Sequence, residues 1–123
     1  MFTIDTNVLI YYAAGQDKAV SFLLEKIAHK TNLIIPTIVV AEFLSFPGLK
    51  PKEQQQFANL LQEMQVEPLS FEVAQKAGAM RRKYKITLPD AIVATTALQT
   101  KSTLLTRNLK HFQKIKEIKV QSP

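Results

Sequence analysis

Three stretches of this 123-residue chain are nearly stripped of charge, and each keeps a single acid. Phe2–Gln16 holds Asp5, Thr31–Leu49 holds Glu42 and Ile86–Thr100 holds Asp90, with no Lys or Arg in any of them. The residues around Glu42 (Ile38, Val39, Val40, Phe43, Leu44, Phe46) and around Asp90 (Ala91, Ile92, Val93, Ala94, Ala97, Leu98) are apolar nearly all round, which predicts mostly buried helices. A carboxylate in such surroundings is costly unless it is neutralised, paired or bound to a cation. Hard oxygen donors with no basic residue among them suit Mg²⁺ or Mn²⁺, and the cation in turn relieves their mutual repulsion. Plainer readings stand beside this one. Asp5 can cap a following helix, and Thr87-Leu-Pro-Asp90 has the spacing of a capping box with Pro89 tolerated in the first turn. Glu42 has no capping role open to it; its alternatives are a helix face that reaches solvent or a salt bridge.

For the acids to act together, the fold must gather them. Five short β-like pieces punctuate the chain, at Phe2–Asp5, Leu33–Ile35, Val66–Leu69, Thr103–Thr106 and Ile118–Gln121. Between them Val20, Leu23, Leu24, Ile27 and Ala28 keep the spacing of one helical face, as do Phe57, Leu60, Leu61 and Met64. Ser70 is placed to cap a helix through Val73, Ala77, Met80 and Tyr84, and Thr87 to cap another that ends near Thr100. Pro47–Gly48 and Pro51 mark a turn between helices. Strands alternating with helices predict one α/β domain over residues 1–123, with a largely parallel sheet flanked by helices; the last strand follows a short link and can join an edge in either direction. In open parallel sheets sites form beyond the carboxyl ends of strands. Asp5 and Thr106–Arg107–Asn108 fall at two such ends, Asp90 in the first turn of its helix and Glu42 about two turns into the helix after the second strand.

Composition removes several classes of chemistry. The chain has no Cys, which excludes disulfide scaffolds, thiolate nucleophiles and Cys-ligated metals, and its two histidines, His29 and His111, are too few and too far apart for a histidine cage. Apolar residues make up 46%, enough for a core. Sixteen Lys and Arg against ten Asp and Glu give a net charge of +6, which favours polyanionic partners. No basic residue precedes Asp5 as a secretory leader would require, and Pro36, Glu42 and Pro47 interrupt the longest apolar run. The expectation is a soluble cytoplasmic protein with no membrane partner.

At these residues the chain resembles a PIN domain, specifically the VapC-type toxins of bacterial toxin–antitoxin pairs. Four motifs carry the resemblance, in order along the whole chain: Phe2-Thr-Ile-Asp-Thr-Asn-Val-Leu-Ile10, Val39-Val-Ala-Glu-Phe-Leu44, Leu88-Pro-Asp-Ala-Ile-Val-Ala-Thr95 and Thr106-Arg-Asn-Leu-Lys-His-Phe112. The resemblance implies a PIN-like, Rossmann-like fold and a metal-dependent endoribonuclease held in check by a cognate antitoxin. Asp5, Glu42 and Asp90 match the family's acidic metal-binding positions, Asn7 the residue that orients the first acid, and Thr106 the hydroxyl near the fourth motif. Many members carry a further Asp where Asn108 or His111 stands here; with one negative charge fewer, a second ion is expected to be weakly held or absent. Asp5 and Asp90, with Glu42, would hold one or two Mg²⁺ or Mn²⁺ ions, while Asp90, Glu42 or Asn108 orients the attacking water. In-line attack then leaves a 5′-phosphate and a 3′-hydroxyl.

Surfaces complete the expectation. Arg81-Arg-Lys-Tyr-Lys85 is the densest basic run; it reads either as cations complementing a helix C-terminus or as a phosphate-tracking edge with Tyr84 stacking on a base, extended by Arg107 and Lys110. Lys114, Lys116 and Lys119 read as a solvated face. Phe43, Phe46 and Leu49 resemble the family's antitoxin-binding clamp, unless Phe43 or Phe46 is ordinary core. A homodimer is a further expectation of the resemblance. Two other functions compete. An aspartyl phosphotransferase of the haloacid dehalogenase type also opens on a strand ending in Asp, but it generally wants a second Asp where Asn7 stands and a later Lys. A PIN fold with a weakened fourth motif can instead bind RNA or protein without cleaving.

Overall fold

The structure is a computed structural model that describes all residues, Met1–Pro123. The five strands are β1 (Phe2–Ile4), β2 (Leu33–Pro36), β3 (Gln65–Glu67), β4 (Thr103–Leu105) and β5 (Lys119–Gln121). They form one sheet in the order β3-β2-β1-β4-β5, and every pairing is parallel. The last strand, whose direction the sequence left open, thus lies parallel on the far edge. The third strand begins and ends earlier than expected, because Pro68 has no N–H to give a ladder.

Seven helices cover the sheet: α1 (Thr6–Ala13), α2 (Asp17–Ala28), α3 (Thr37–Leu44), α4 (Pro51–Gln62), α5 (Phe71–Tyr84), α6 (Leu88–Gln99) and α7 (Leu109–Phe112). Ser70 Oγ accepts from the Val73 N–H and Thr87 Oγ1 from the Asp90 N–H, so both expected caps are formed. Of two short helices, one was expected only as the helix that Asp5 would cap and the other was not foreseen. Gly15, at φ 75°, stops α1: its N–H reaches Tyr12 O while that of Gln16 reaches Tyr11 O, which closes the last turn and starts α2 afresh. The other is α7, pinned by the fully buried Phe112.

The core lies between sheet and helices and is built from Ile4, Val8, Leu9, Leu23, Ile35, Val39, Leu104, Leu105 and Phe112, among others. Helix α6 is buried from Ala91 through Ala97, as its composition predicts. Helix α3 departs from expectation. Only Val39 and Phe43 are buried, Ile38, Val40 and Leu44 are half-covered and Ala41 is exposed, because the packing of α3 on α1, α4, α6 and β2 leaves its Ala41 side open to solvent. No helix is long and apolar enough to cross a membrane.

Candidate active site

The chain runs from β1 outward to β2 and β3, then returns to place β4 on the other side of β1. Connections therefore leave in opposite directions at the β1/β4 boundary, and the crevice this opens beyond the strand ends is where open α/β sheets bind ligands. Asp5 follows β1 directly and Thr106 follows β4, with the Asp5 N–H donating to Leu105 O at 3.0 Å.

Asp5 is only 7% exposed. Its Oδ1 accepts from the Thr6 N–H at 2.9 Å, capping α1, and its Oδ2 accepts from the Thr106 hydroxyl at 2.8 Å. Burial pushes its pKa up from 3.8 to about 6; the hydrogen bonds from Thr106 and Thr6 oppose the rise, and the charges of Asp90 and Glu42 add to it. Asp5 is therefore both a cap and a carboxylate under strain from two other acids.

Glu42 comes from α3, 37 positions along the chain, and its Oε1 accepts from the Thr6 hydroxyl at 2.8 Å. Thr6 thus joins the first two acids, its backbone on Asp5 and its side chain on Glu42. Asp90 sits in the first turn of α6. Its backbone takes the Thr87 cap, but its carboxylate does not reach back to complete a capping box; Oδ2 lies 3.6 Å from His111 Nδ1 instead. None of the three acids is paired with a Lys or Arg.

Thr106 organises the far side. Its hydroxyl oxygen accepts from Asn7 Nδ2 at 3.3 Å and from the Asn108 N–H at 3.0 Å while donating to Asp5. Asn7 also accepts the Arg107 N–H on Oδ1 at 3.1 Å. It therefore acts on the first acid through Thr106 rather than by touching it. The Asn108 side chain meets His111 Nδ1 at 2.8 Å, which completes a path of polar contacts from Asp5 through Thr106, Asn108 and His111 to Asp90.

As the side chains stand, no three His, Asp or Glu residues close into a cage around a single ion. That arrangement still fits Mg²⁺, which is commonly bound through one or two carboxylates and keeps several of its waters. Three acids with no Lys or Arg paired to them are a donor set of that kind.

The basic run divides. Arg81, Arg82 and Lys83 end α5, and Lys85 caps it in the left-handed region at φ 53°. Lys83 and the Tyr84 hydroxyl both turn to Glu117, just before β5, and these two hydrogen bonds, the Tyr84 one first, hold the Glu117 carboxyl below its usual range. Tyr84 is half-buried with its hydroxyl engaged and Lys83 over its ring, so it does not offer the free stacking surface expected of it. Arg81, Arg82, Lys85, Arg107 and Lys110 are exposed and make no ion pair. Arg107 lies over the Tyr11 ring, 4.5 Å from its centroid.

Beside the C-terminal half of α1, a groove of about 250 Å³ is lined by Ile10, Ala13, Phe43, Phe46, Leu49 and Phe57. Phe43 is core at 3% exposure, tilted against Phe57 at 5.0 Å between centroids, whereas Phe46 is 47% exposed. Sequence reasoning missed Thr6, Tyr11 and the placement of His111 against Asp90. Thr6 and His111 lie inside the quoted motifs, but spacing gives no sign of what their side chains reach.

Comparison with known proteins agrees along nearly the full length. The model of the PIN domain family matches residues 2–118. A ribonuclease VapC10 from Mycobacterium tuberculosis (strain ATCC 25618 / H37Rv) is 30% identical across 97% of this chain and 91% of its own length. Among solved structures, a toxin–antitoxin complex from Klebsiella pneumoniae contains a chain 29% identical, with a TM-score of 0.79 over 96% of this chain and 95% of that one. A chain of VapBC2 from Rickettsia felis, bound to a DNA fragment from the promoter, shares the fold at a TM-score of 0.83, with 23% identity and coverage of 99% and 98%.

Proposed function

The chain belongs to the PIN domain family, and from that membership we propose that it is an endoribonuclease, the toxin of a toxin–antitoxin pair, hydrolysing RNA phosphodiester bonds with Mg²⁺ or Mn²⁺. One observation carries the reading: Asp5, Glu42 and Asp90, from three distant stretches, meet at the β1/β4 switch with no Lys or Arg against them, and Asp5 feels both of the others. The relative named a ribonuclease supports it.

Asp5 and Asp90, with Glu42, would hold one or two ions; a bound cation supplies Lewis-acid polarisation of a phosphodiester oxygen and a more acidic water. The protein's own part is orientation. Thr106 and Thr6 fix both oxygens of Asp5, and Thr6 fixes Glu42 relative to it. Asn108, held through Thr106 and His111, would orient a water with its amide. Arg81, Arg82, Lys85 and Lys110 supply phosphate contacts.

The groove at Phe43, Phe46 and Leu49 is the surface for an antitoxin segment with apolar side chains, a reading supported by the structural relative that is a toxin–antitoxin complex. A homodimer belongs to the same proposal; the half-covered outer side of α3 is consistent with it.

The deciding experiment is RNA cleavage by the purified protein with Mn²⁺, with chelator and as Asp5→Asn, reading product ends. Loss of cleavage of about 100-fold or more in the last two, with 5′-phosphate ends in the first, is expected. Cleavage indifferent to chelator and substitution overturns the mechanism. Asn108 and His111, standing where further acid is common, give the non-catalytic module its one argument, and normal metal binding without cleavage of any RNA would favour it.

A further inference from the structure

Asn7 and Tyr11 lie one turn apart on α1, and both engage the same residue. Asn7 Oδ1 accepts the Arg107 backbone N–H at 3.1 Å, and the Tyr11 ring lies against the Arg107 guanidinium. Ile10 and Ala13 of the same helix, with Ala14 just past its end, line the apolar groove and Tyr11 does not, so α1 serves two surfaces. Arg107 directly follows Thr106, the residue that holds Asp5.

A guanidinium is a plane with two faces, and the central carbon of this one lies over the half-buried Tyr11 ring, 4.5 Å from its centroid. The Arg107 side chain is exposed and pairs with no carboxylate. An arginine used only as a point charge has no need of an aromatic backing; one held flat presents its other face as a stacking surface for a planar ring. Tyr84, the aromatic in the basic run, is occupied by Glu117.

We propose that Tyr11 and Arg107 form a base-stacking step at the rim of the acidic pocket, in which Tyr11 holds the guanidinium flat and a nucleobase of single-stranded RNA next to the scissile phosphate stacks on its open face. Arg107 touches the substrate; Tyr11 is a positioning residue. The step rests on the ribonuclease reading and adds to it a requirement for a base, not only a phosphate, beside the cut.

The test uses the full chain carrying Asp5→Asn to prevent turnover. Fluorescence anisotropy reads its affinity for a short single-stranded oligoribonucleotide and for the same sugar–phosphate chain without bases, while thermal unfolding is followed in parallel. Tyr11→Leu and Arg107→Lys are each expected to weaken the base-bearing oligomer by about 5- to 30-fold and to leave the abasic one unchanged. Tyr11→Phe is expected to bind both as the parent does, and Arg107→Ala to weaken both. If Tyr11→Leu lowers the unfolding temperature, Arg107→Lys at its exposed position decides the matter. Equal losses on the two oligomers, or no loss in any variant, overturn the stacking step alone. So does unchanged RNA affinity with loss of a protein partner, which assigns the pair to that interface. A parent that binds neither oligomer overturns the ribonuclease reading, and the stacking step with it.

Discussion

At the scale of single residues, Asp5 carries the largest tension in the molecule. Its carboxyl is buried, opposed by two other acids, and compensated only by the Thr6 N–H and the Thr106 hydroxyl. A pKa raised from 3.8 to about 6 means the folded state holds this proton more tightly than the unfolded chain. Its contribution to stability is therefore fully present below about pH 4 and is lost as pH rises through about 6, at most about 3 kcal/mol. In chelator, Asp5→Asn is expected to gain stability relative to the wild type as pH rises across that window, and to show little advantage below it. Excess Mn²⁺ should reverse the order near pH 7, because only the wild type then recovers its counter-charge. Unfolding temperatures measured from about pH 4 to 8 check this; a difference independent of pH would show that Asp5 is not the titrating group.

Helix α3 shows what an element adds. It delivers Glu42 to the pocket while its next residue, Phe43, anchors it in the core and Phe46, just past its end, lines the apolar groove. Three roles within five positions are separable by substitution. Phe43→Ala opens a cavity and is expected to cost about 3–5 kcal/mol, read by denaturant unfolding. Phe46→Ala, at a half-exposed position, is expected to change stability by less than about 1 kcal/mol and to weaken capture of the cognate antitoxin at least about tenfold. If Phe46→Ala leaves that affinity untouched, the groove is not the antitoxin's seat. The glycine stop at Gly15 matters in the same way, since ending α1 there lets one short helix present Asn7 and Tyr11 to the site and Ile10 to the groove.

For the whole molecule, charge is the organising quantity. A net +6 surrounds a pocket that is itself acidic, so on the proposed reading RNA would be held by basic residues outside the pocket. RNA affinity is expected to fall with salt along a log–log slope of about 0.7 per phosphate contacted, and replacing Arg81 and Arg82 together should lower that slope by about one to two such contacts. A flat salt response measured by the same anisotropy assay would remove the basic edge from the binding surface.

Much of this was legible before the fold was seen, and the limit of legibility is physical. Local chemistry is written in order along the chain: Ser70 and Thr87 cap their helices as expected, the five strands lie within one or two residues of their expected positions, and Asp5, Glu42 and Asp90 stand out because charge is absent around them. Contacts between residues far apart carry no such mark. That Thr6 ties Asp5 to Glu42, that His111 lies by Asp90, that Tyr84 turns to Glu117 while Tyr11 backs Arg107, and that β5 runs parallel on the edge were all decided by packing. The sequence by itself determined which residues resist their surroundings, because cost of burial depends on residue type and near neighbours. Only the tertiary structure decided which partner meets each of them, because that depends on which strands lie side by side across the switch between β1 and β4.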